Sequence, residues 1–185
     1  KTYVTNYLKN KRIPVHESDE VIKEVYLNKN SAFLSFLLKA GFKDFIKNNK
    51  INKNQIREEI FNNKLKKKRL EKFLHKKAEI SRNIFIKKNQ NKKLVFFDIP
   101  LLFENKLQNK FDFICSTTAP TKIRERRALR RKGMTKKILK KILTNQTKDK
   151  IRVKKSDFII KTSTNKKHTC LQVDKIIYNI LKNTK

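Results

Sequence analysis

The chain has 185 residues and a mass of 22.1 kDa, and hydrophobic residues make up 37% of it, which suits one folded domain and argues against wholesale disorder. No run of about 18 apolar residues occurs, so the sequence excludes a transmembrane helix. The 49 basic and 16 acidic side chains give a formal net charge of +33, which attracts polyanions.

This charge does not by itself identify a nucleic-acid partner. Lysines are spread from Lys1 to Lys185 among abundant Asn, Ile and Phe, as an A+T-rich coding sequence would produce. Most phenylalanines lie in apolar, core-like runs and not among the basic residues, where they could stack on bases. An RNA-binding protein therefore stays an alternative, and nucleic acid is not expected as the main partner.

The two cysteines, Cys115 and Cys170, are far apart and match no metal-binding spacing. We interpret them as reduced thiols of a cytosolic protein. The polar opening residues do not resemble a secretory signal. The sequence therefore predicts a cytoplasmic protein without a membrane partner.

The first half of the chain is predicted to be mostly helical. Residues 1–12 place apolar side chains at helical spacing, and residues 13–16 form a short apolar run that favours a strand. That run ends in Glu17, Ser18 and Asp19. From Glu20 to about Phe85 the pattern is helical and is broken only by short polar stretches.

The second half alternates between strands and helices. Residues 94–99 form a continuous apolar run, typical of a strand buried on both faces of a parallel sheet, and residues 111–115 and 157–160 have the same character. A very basic helical stretch spans 122–155, and a closing helix spans 170–181. This alternation predicts an α/β fold with a doubly wound parallel sheet and a helical insertion in its first half.

Three features could serve phosphoryl transfer. Lys1 and Thr2 stand directly before a helix, as the last two residues of a P-loop do, where the lysine reaches phosphates and the hydroxyl binds Mg²⁺. Asp19, with Glu17 before it, follows a predicted strand and could accept a proton from a substrate hydroxyl, although it could also be a solvated helix cap. Asp98 ends the most apolar strand, which is a metal-binding position in some folds and an ordinary strand terminus in others.

A fourth group of candidates lies in the basic stretch. Arginines on one helical face can bind triphosphate oxygens through two hydrogen bonds each and stabilise transition-state charge. A solvated basic face and an RNA-binding helix are the alternatives. The residues concerned are Arg124, Arg126, Arg127, Arg130, Arg131 and Arg152.

Several of these segments resemble those of one known family, the dephospho-CoA kinases. The Lys1-Thr2 pair is followed by Ile-Pro-Val-His-Glu-Ser-Asp at the separation that joins the family's Lys-Ser/Thr pair to its Asp-Ala-Asp motif. Asp19 then matches the second Asp, and Glu17 replaces the first. Residues 98–104 contain Pro-Leu-Leu-Phe-Glu, a hallmark of the family.

The resemblance continues along nearly the whole chain. Residues 56–61 are similar to the family's Leu-Arg-x-x-Ile-Phe motif, and Leu74-His75 is similar to Leu-His-Pro, with Lys76 in place of the proline. Residues 156–160 resemble Ala-Asp-x-Val-Ile. The family continues there with Asn-x-Gly, whereas this chain has Lys-Thr-Ser at residues 161–163, so the family's adenine contacts are not carried over to these residues.

The resemblance implies a single P-loop kinase domain over 1–185, with its core at 1–20, 89–121 and 154–185. A helical substrate lobe would span 21–88, and a helical lid would span 122–153. The implied reaction is ATP-dependent phosphorylation of the ribose 3′-hydroxyl of dephospho-CoA by a monomer that uses Mg²⁺. A kinase acting on another nucleotide or nucleoside remains the related alternative.

The resemblance also implies roles for individual residues. Asp19 would be the general base, assisted by Lys1 and Arg131, and Thr2 would bind Mg²⁺ with Asp98 as a further candidate. The ATP-binding residues would be Lys1, Thr2, Arg127, Arg131 and Arg152. The substrate-binding residues would be Asp19, Arg57, His75, Arg82, Pro100 and Glu104. His16 and His168 are expected to be structural.

One expectation concerns the segment before Lys1. The family's first strand and its glycine loop, which supplies backbone N–H groups to the phosphates, would precede this residue. We therefore expect a longer gene product. We also expect residues 1–185 alone to show little kinase turnover until a strand and a GxxxxG segment precede Lys1.

Overall fold

The computed structural model describes residues 1–27, 31–47 and 50–183, in which helices outnumber strands. The helices are α1 (Thr2–Asn10), α2 (Ser18–Leu27), α3 (Ser31–Lys39), α4 (Lys53–Asn62), α5 (Lys64–Lys88), α6 (Thr121–Leu129), α7 (Lys136–Thr144), α8 (Asp149–Lys154) and α9 (Lys166–Asn183). The strands are β1 (Val15–Glu17), β2 (Ile46–Lys47), β3 (Lys50–Ile51), β4 (Phe96–Asp98), β5 (Cys115–Thr118) and β6 (Phe158–Lys161). The chain divides into two units, residues 14–98 and residues 1–13 with 99–185.

In the unit of residues 14–98, β1 pairs in parallel with β4. The register places Glu17 beside Asp98 and His16 beside Phe97. α2 follows β1 without an intervening loop, and it packs against α5. Because both strands run in the same direction, their carboxyl ends and the start of α2 lie at one edge of this small sheet.

The same unit has a helical core. Phe33, Leu37 and Phe42 are fully buried, and Ile56 and Leu70 are nearly so. Apolar residues at helical spacing form one apolar face on a helix. Burying one large apolar side chain stabilises the fold by roughly 1.5–3 kcal/mol. The packing of α3, α4 and α5 around these side chains therefore holds the lobe together.

One segment of this lobe differs from the sequence prediction. Helical structure was expected from 20 to about 85, but residues 43–45 form a 3₁₀ turn and the short strands β2 and β3 pair as an antiparallel hairpin. α3 ends before Gly41, whose φ of +84° is a conformation that side chains disfavour. The break comes from backbone conformation, which the apolar spacing did not indicate.

In the unit of residues 1–13 and 99–185, β5 pairs in parallel with β6 over four residues each. α9 packs on β6 and on α1. Its apolar face buries Val173, Ile176 and Ile180, and the facing side of α1 buries Val4 and Leu8. The predicted terminal helices are confirmed, with α9 beginning four residues earlier than expected.

The strands are shorter than predicted or shifted along the chain. The strand expected at 94–99 is β4, which has only three residues, and these are half-buried rather than buried on both faces. The strand expected at 111–115 begins only at Cys115, and just before it the N–H of Ile114 donates to the Asp157 carboxylate at 2.7 Å. The α/β class with parallel strands is confirmed, and within the described residues each parallel sheet has two strands.

No helix in the described part of the chain has both the length and the apolar character needed to cross a membrane.

Candidate active site

Carboxylates gather where β1 and β4 end. Glu17 and Asp98 are the last residues of the two strands and stand in register. Asp19 is the second residue of α2 and is exposed, whereas Ser18 is buried. Polar groups at the carboxyl ends of adjacent parallel strands commonly form ligand sites, and acidic residues in the first turn of a helix also complement its dipole. The predicted base therefore lies at a strand end where a substrate can reach it.

His16 joins this strand to helix α5. Its side chain is buried, with Nε2 3.0 Å from the hydroxyl of Ser81. The rings of Phe85 and Phe97 pack around the imidazole at centroid distances of 5.5 and 5.8 Å. Burial lowers the pKa of His16, and the nearby charge of Arg82 lowers it further. The imidazole is therefore neutral at pH 7, and it anchors the segment that carries Glu17 and Asp19.

The predicted substrate-binding cations of the helical lobe differ in exposure. Arg82 is only 8% exposed in α5, and burial lowers its pKa while the charge of Glu79 opposes that shift. His75, also in α5, and Arg57 in α4 are exposed. Burial raises the pKa of the Tyr26 phenol in α2, and the positive charge of Arg57 partly offsets that rise. Arg57 and His75 are therefore accessible to a ligand in solution, while Arg82 is enclosed by the fold.

Lys1 and Thr2 begin α1 in the other unit. Lys1 is the residue before the helix, and its carbonyl accepts a hydrogen bond from the N–H of Thr5 at 3.0 Å. The N–H groups of a first helical turn and the helix dipole favour phosphate. α1 is held to α9 by Asp174, which accepts a hydrogen bond from Tyr7 at 2.8 Å and pairs with Lys11 at 3.0 Å. Lys1 and Thr2 therefore stand at the end of an anchored helix.

The arginines predicted to bind ATP are not equivalent. Arg127 donates to the carbonyl of Thr162 at 2.8 Å, which ties α6 to the segment after β6. Arg152 pairs with Asp149 at 2.7 Å. Arg131, just after α6, is exposed. Arg127 and Arg152 are thus oriented by the protein itself, and Arg131 is accessible to a ligand.

Glu104, from the Pro-Leu-Leu-Phe-Glu segment, is bound to the stretch between α7 and α8. Its carboxylate accepts a hydrogen bond from the N–H of Thr147 at 2.5 Å. Burial raises the pKa of Glu104, but the hydrogen bonds from Thr147 and the charge of Arg152 outweigh it, so the net shift is downward. Within the same segment Pro100 is half-buried and Leu101 has a φ of +55°, a strained conformation. Glu104 therefore positions the start of α8 in this structure.

Sequence reasoning missed three partners of these residues: Ser81, Thr147 and Asp149. Asp149 pairs with Arg124 at 2.5 Å as well as with Arg152. An isolated acid within a strongly basic stretch was a usable signal for such a pairing. Ser81 and Thr147 carried no comparable signal, since each contacts a residue more than forty positions away.

The described residues contain no group of three or more His, Cys, Asp or Glu side chains arranged to hold a metal ion. A caged metal centre is therefore not built into this part of the chain. In phosphoryl-transfer sites Mg²⁺ is held by one or two protein oxygens together with water and substrate phosphates. The exposed hydroxyl of Thr2, at the start of α1, is an oxygen donor that fits this kind of binding.

Comparisons with known proteins identify the class and then the family. The fold is that of P-loop NTPases: the Thermus thermophilus protein TT1252 is similar with a TM-score of 0.78 and 18% identity over 96% of this chain and 90% of its own. A dephospho-CoA kinase from Campylobacter jejuni has a TM-score of 0.69 and 24% identity over 100% of this chain and 92% of its own. The family model described as dephospho-CoA kinase matches residues 1–168, and the chain belongs to that family.

Curated relatives agree with this assignment. The dephospho-CoA kinase of Bartonella quintana is 32% identical over 185 residues, which cover 99% of this chain and 93% of the relative. That of Mesorhizobium japonicum is 29% identical over 167 residues, which cover 89% of this chain and 83% of the relative. The resemblance noted in the sequence is confirmed, and the chain is that of a kinase.

Proposed function

We propose that this protein transfers the γ-phosphoryl group of ATP to the ribose 3′-hydroxyl of dephospho-CoA, which yields coenzyme A and ADP. The observation that carries the proposal is the match of residues 1–168 to the dephospho-CoA kinase family. It is supported by the carboxylates at the carboxyl ends of β1 and β4, since an acceptor hydroxyl needs a base at such a position.

Asp19 is the proposed general base. It is exposed at the start of α2, so a ribose hydroxyl can approach it, and it follows a strand that His16 holds in place. As the 3′-oxygen attacks the γ-phosphorus, the bond from that phosphorus to the leaving ADP oxygen breaks, and the hydroxyl proton passes to the Asp19 carboxylate. Arg57 and His75 are the exposed cationic and polar groups that would contact dephospho-CoA, and Arg82 would support that surface from its buried position.

The phosphate side of the reaction is proposed to use Lys1, Thr2 and three arginines. Lys1 and the first turn of α1 would bind phosphate oxygens, and Thr2, with Asp98 as a further candidate, would supply oxygen ligands to Mg²⁺. When bound with ATP, Mg²⁺ offsets the charge of the phosphates. Arg131 would reach the transferring group, and Arg127 and Arg152 would bind ATP from positions that the fold already orients.

The remaining parts of the proposal concern segments rather than single contacts. Residues 122–153 would form a lid over ATP that expels water and thereby strengthens the charge interactions beneath it. Residues 21–88 would form the substrate lobe, with Pro100 and Glu104 contributing from their own segment. The enzyme would act as a monomer in the cytoplasm.

A substitution at Asp19 with a matched neighbour as control tests the proposed base. The kinetic tests are made with a strand and a GxxxxG segment placed before Lys1. In that background Asp19→Asn keeps the shape and removes the base, and we expect kcat to fall by about 10²- to 10⁴-fold, with little change in ATP affinity. Glu20→Gln changes an adjacent exposed carboxylate that pairs with Lys23 at 3.0 Å, so it should leave kcat nearly unchanged. An unchanged kcat in Asp19→Asn would rule out the base role.

The acceptor and the role of Arg131 are tested separately. In one coupled assay for ADP, dephospho-CoA should be used far better than adenosine or nucleoside monophosphates, and preference for one of those would reassign the substrate. Arg131→Ala should raise the KM for ATP or lower kcat more than it changes dephospho-CoA affinity. A change confined to dephospho-CoA affinity would place Arg131 on the acceptor side.

A further inference from the structure

Helix α7 separates apolar and basic side chains on opposite faces. At 100° per residue, Ile138, Leu139, Ile142 and Leu143 fall within one sector of the helix, and the four lysines Lys136, Lys137, Lys140 and Lys141 fall on the opposite side. The N-terminus of the helix is capped by Thr135, whose hydroxyl accepts a hydrogen bond from the N–H of Ile138 at 3.2 Å. The segment is therefore a defined amphipathic helix.

Most of the apolar face of α7 is not covered by its own unit. Ile138, Ile142 and Leu143 are 45%, 38% and 39% exposed, although residues of this kind are usually buried. Leu139, which is half-buried, and Leu143 line a cleft of about 480 Å³ between α6 and α7 together with Leu129, so Ile138 and Ile142 form the side of the face outside the cleft. The cleft thus uses one side of the apolar face and leaves the other side to solvent.

The segment around α7 is strongly basic. Residues 121–155 contain 16 basic and 2 acidic side chains, and one of the acids, Asp149, is already paired with two arginines. The segment therefore offers exposed aliphatic side chains within a field of strongly positive potential.

Exposed aliphatic side chains together with positive charge favour one kind of polyanion, a lipid surface, over another, a nucleic acid. Single-stranded nucleic acid is commonly bound by cations together with aromatic side chains on which its bases stack, and residues 121–155 contain no Phe, Tyr or Trp. An anionic bilayer surface instead takes up a basic amphipathic helix, which lies in the plane of the interface with its aliphatic side chains among the acyl chains and its lysines at the headgroups.

We propose that the open side of α7, defined by Ile138 and Ile142 with the lysines of the same helix, binds an anionic lipid bilayer peripherally. The proposal goes beyond the kinase activity and differs from the sequence expectation of no membrane partner, which rested on the absence of a spanning segment. Such binding would hold the enzyme at a membrane surface without crossing it.

Co-sedimentation with vesicles tests the proposal, using phosphatidylcholine alone or mixed with phosphatidylglycerol. The unmodified protein should bind the mixed vesicles and not the neutral ones. Ile138→Ser with Ile142→Ser keeps every charge and should weaken binding at least about tenfold, because two side chains no longer enter the apolar layer. The matched control, Leu171→Ser with Tyr178→Ser, alters residues of α9 that are 57% and 64% exposed and should bind like the unmodified protein.

Because a protein of net charge +33 also adsorbs to anions through charge alone, salt separates the two kinds of binding. Retention of part of the binding at high salt by the unmodified protein, and its loss in the α7 double variant, supports insertion of α7. Equal binding by all three proteins, abolished together by salt, overturns the proposal in favour of adsorption by charge. Unchanged vesicle binding with weakened binding of an oligoribonucleotide by the α7 variant overturns it in favour of RNA.

Discussion

The contact between His16 and Ser81 allows a stability prediction that can be worked out from the structure. His16 is 5% exposed, and its Nε2 lies 3.0 Å from the Ser81 hydroxyl. Ser81→Ala removes that hydroxyl and leaves the ring nitrogen in an apolar site without this partner, which costs about 1–3 kcal/mol. We therefore expect the free energy of unfolding to fall by about that amount.

A second substitution separates the hydrogen bond from packing. Phe85 and Phe97 surround the imidazole, so an aromatic hydrocarbon ring suits the same site. His16→Phe alone leaves the Ser81 hydroxyl without the imidazole. In the double variant with Ser81→Ala both polar groups are gone, and much of the lost stability should return. The coupling free energy between the two positions should lie at about 1–2 kcal/mol.

The pH dependence gives an independent check of the same contact. Burial and Arg82 hold the pKa of His16 below the value of about 6.5 that it has when unfolded. The unfolded chain therefore binds more protons than the folded chain in the pH range below about 6.5, and stability falls as the pH falls through that window. His16→Phe should flatten this part of the stability profile.

Urea unfolding followed by circular dichroism measures these free energies. Ser35→Ala is the matched control, because Ser35 is exposed in helix α3 and receives the same gain in helix propensity as Ser81 in α5. If Ser81→Ala lowers the free energy of unfolding no more than Ser35→Ala does, and the coupling free energy between positions 16 and 81 is near zero, the hydrogen bond does not stabilise the fold.

Three further predictions concern single residues. Asn63→Ala removes the cap that accepts the N–H of Lys66 at 3.0 Å and should cost about 1 kcal/mol in urea unfolding, while Asn63→Asp should cost less. The folded structure lowers the pKa of Glu104, so its carboxylate stabilises the fold above the unfolded pKa of about 4.3, and this stabilisation is lost as the pH falls through the folded pKa. Glu104→Gln should therefore make Tm less dependent on pH in the acid range. Leu101 has a φ of +55°, and replacing it with glycine removes a backbone strain of roughly 1–2 kcal/mol. The greater conformational entropy of glycine in the unfolded chain costs roughly 0.5–1 kcal/mol, so Leu101→Gly should raise Tm slightly. Leu101→Ala keeps the strain and should not raise Tm.

The parts of the candidate site that lie at the ends of strands or on helices could be predicted from local sequence patterns. Asp19 and Asp98 were expected at strand ends because a short apolar run changes there into polar residues, and both do follow or end a strand. The basic stretch was expected to be helical over 122–155, and Arg124, Arg126, Arg127 and Arg152 do lie on α6 and α8. Arg130 and Arg131 instead follow the end of α6, where the stretch is interrupted. Their roles in the reaction stay predictions.

Contacts across the chain were not predictable in this way. Nothing near Glu104 indicated that Thr147 would bind its carboxylate, since the two residues are 43 positions apart. The hairpin of β2 and β3 was missed because two-residue strands leave no period to detect. The exposure of Ile142 was equally hidden, because apolar spacing indicates a face and not what covers it.

The amino-acid sequence by itself indicated the order of the helices and strands apart from the β2–β3 hairpin, together with the P-loop kinase class and the family, since these depend on local periodicity and on short motifs in register. Only the tertiary structure decided that Glu17 stands beside Asp98, that His16 is bound by Ser81, and that one side of α7 remains open to solvent. The physical reason is that hydrogen bonds and burial join residues far apart along the chain, so their energies depend on packing that no local pattern specifies.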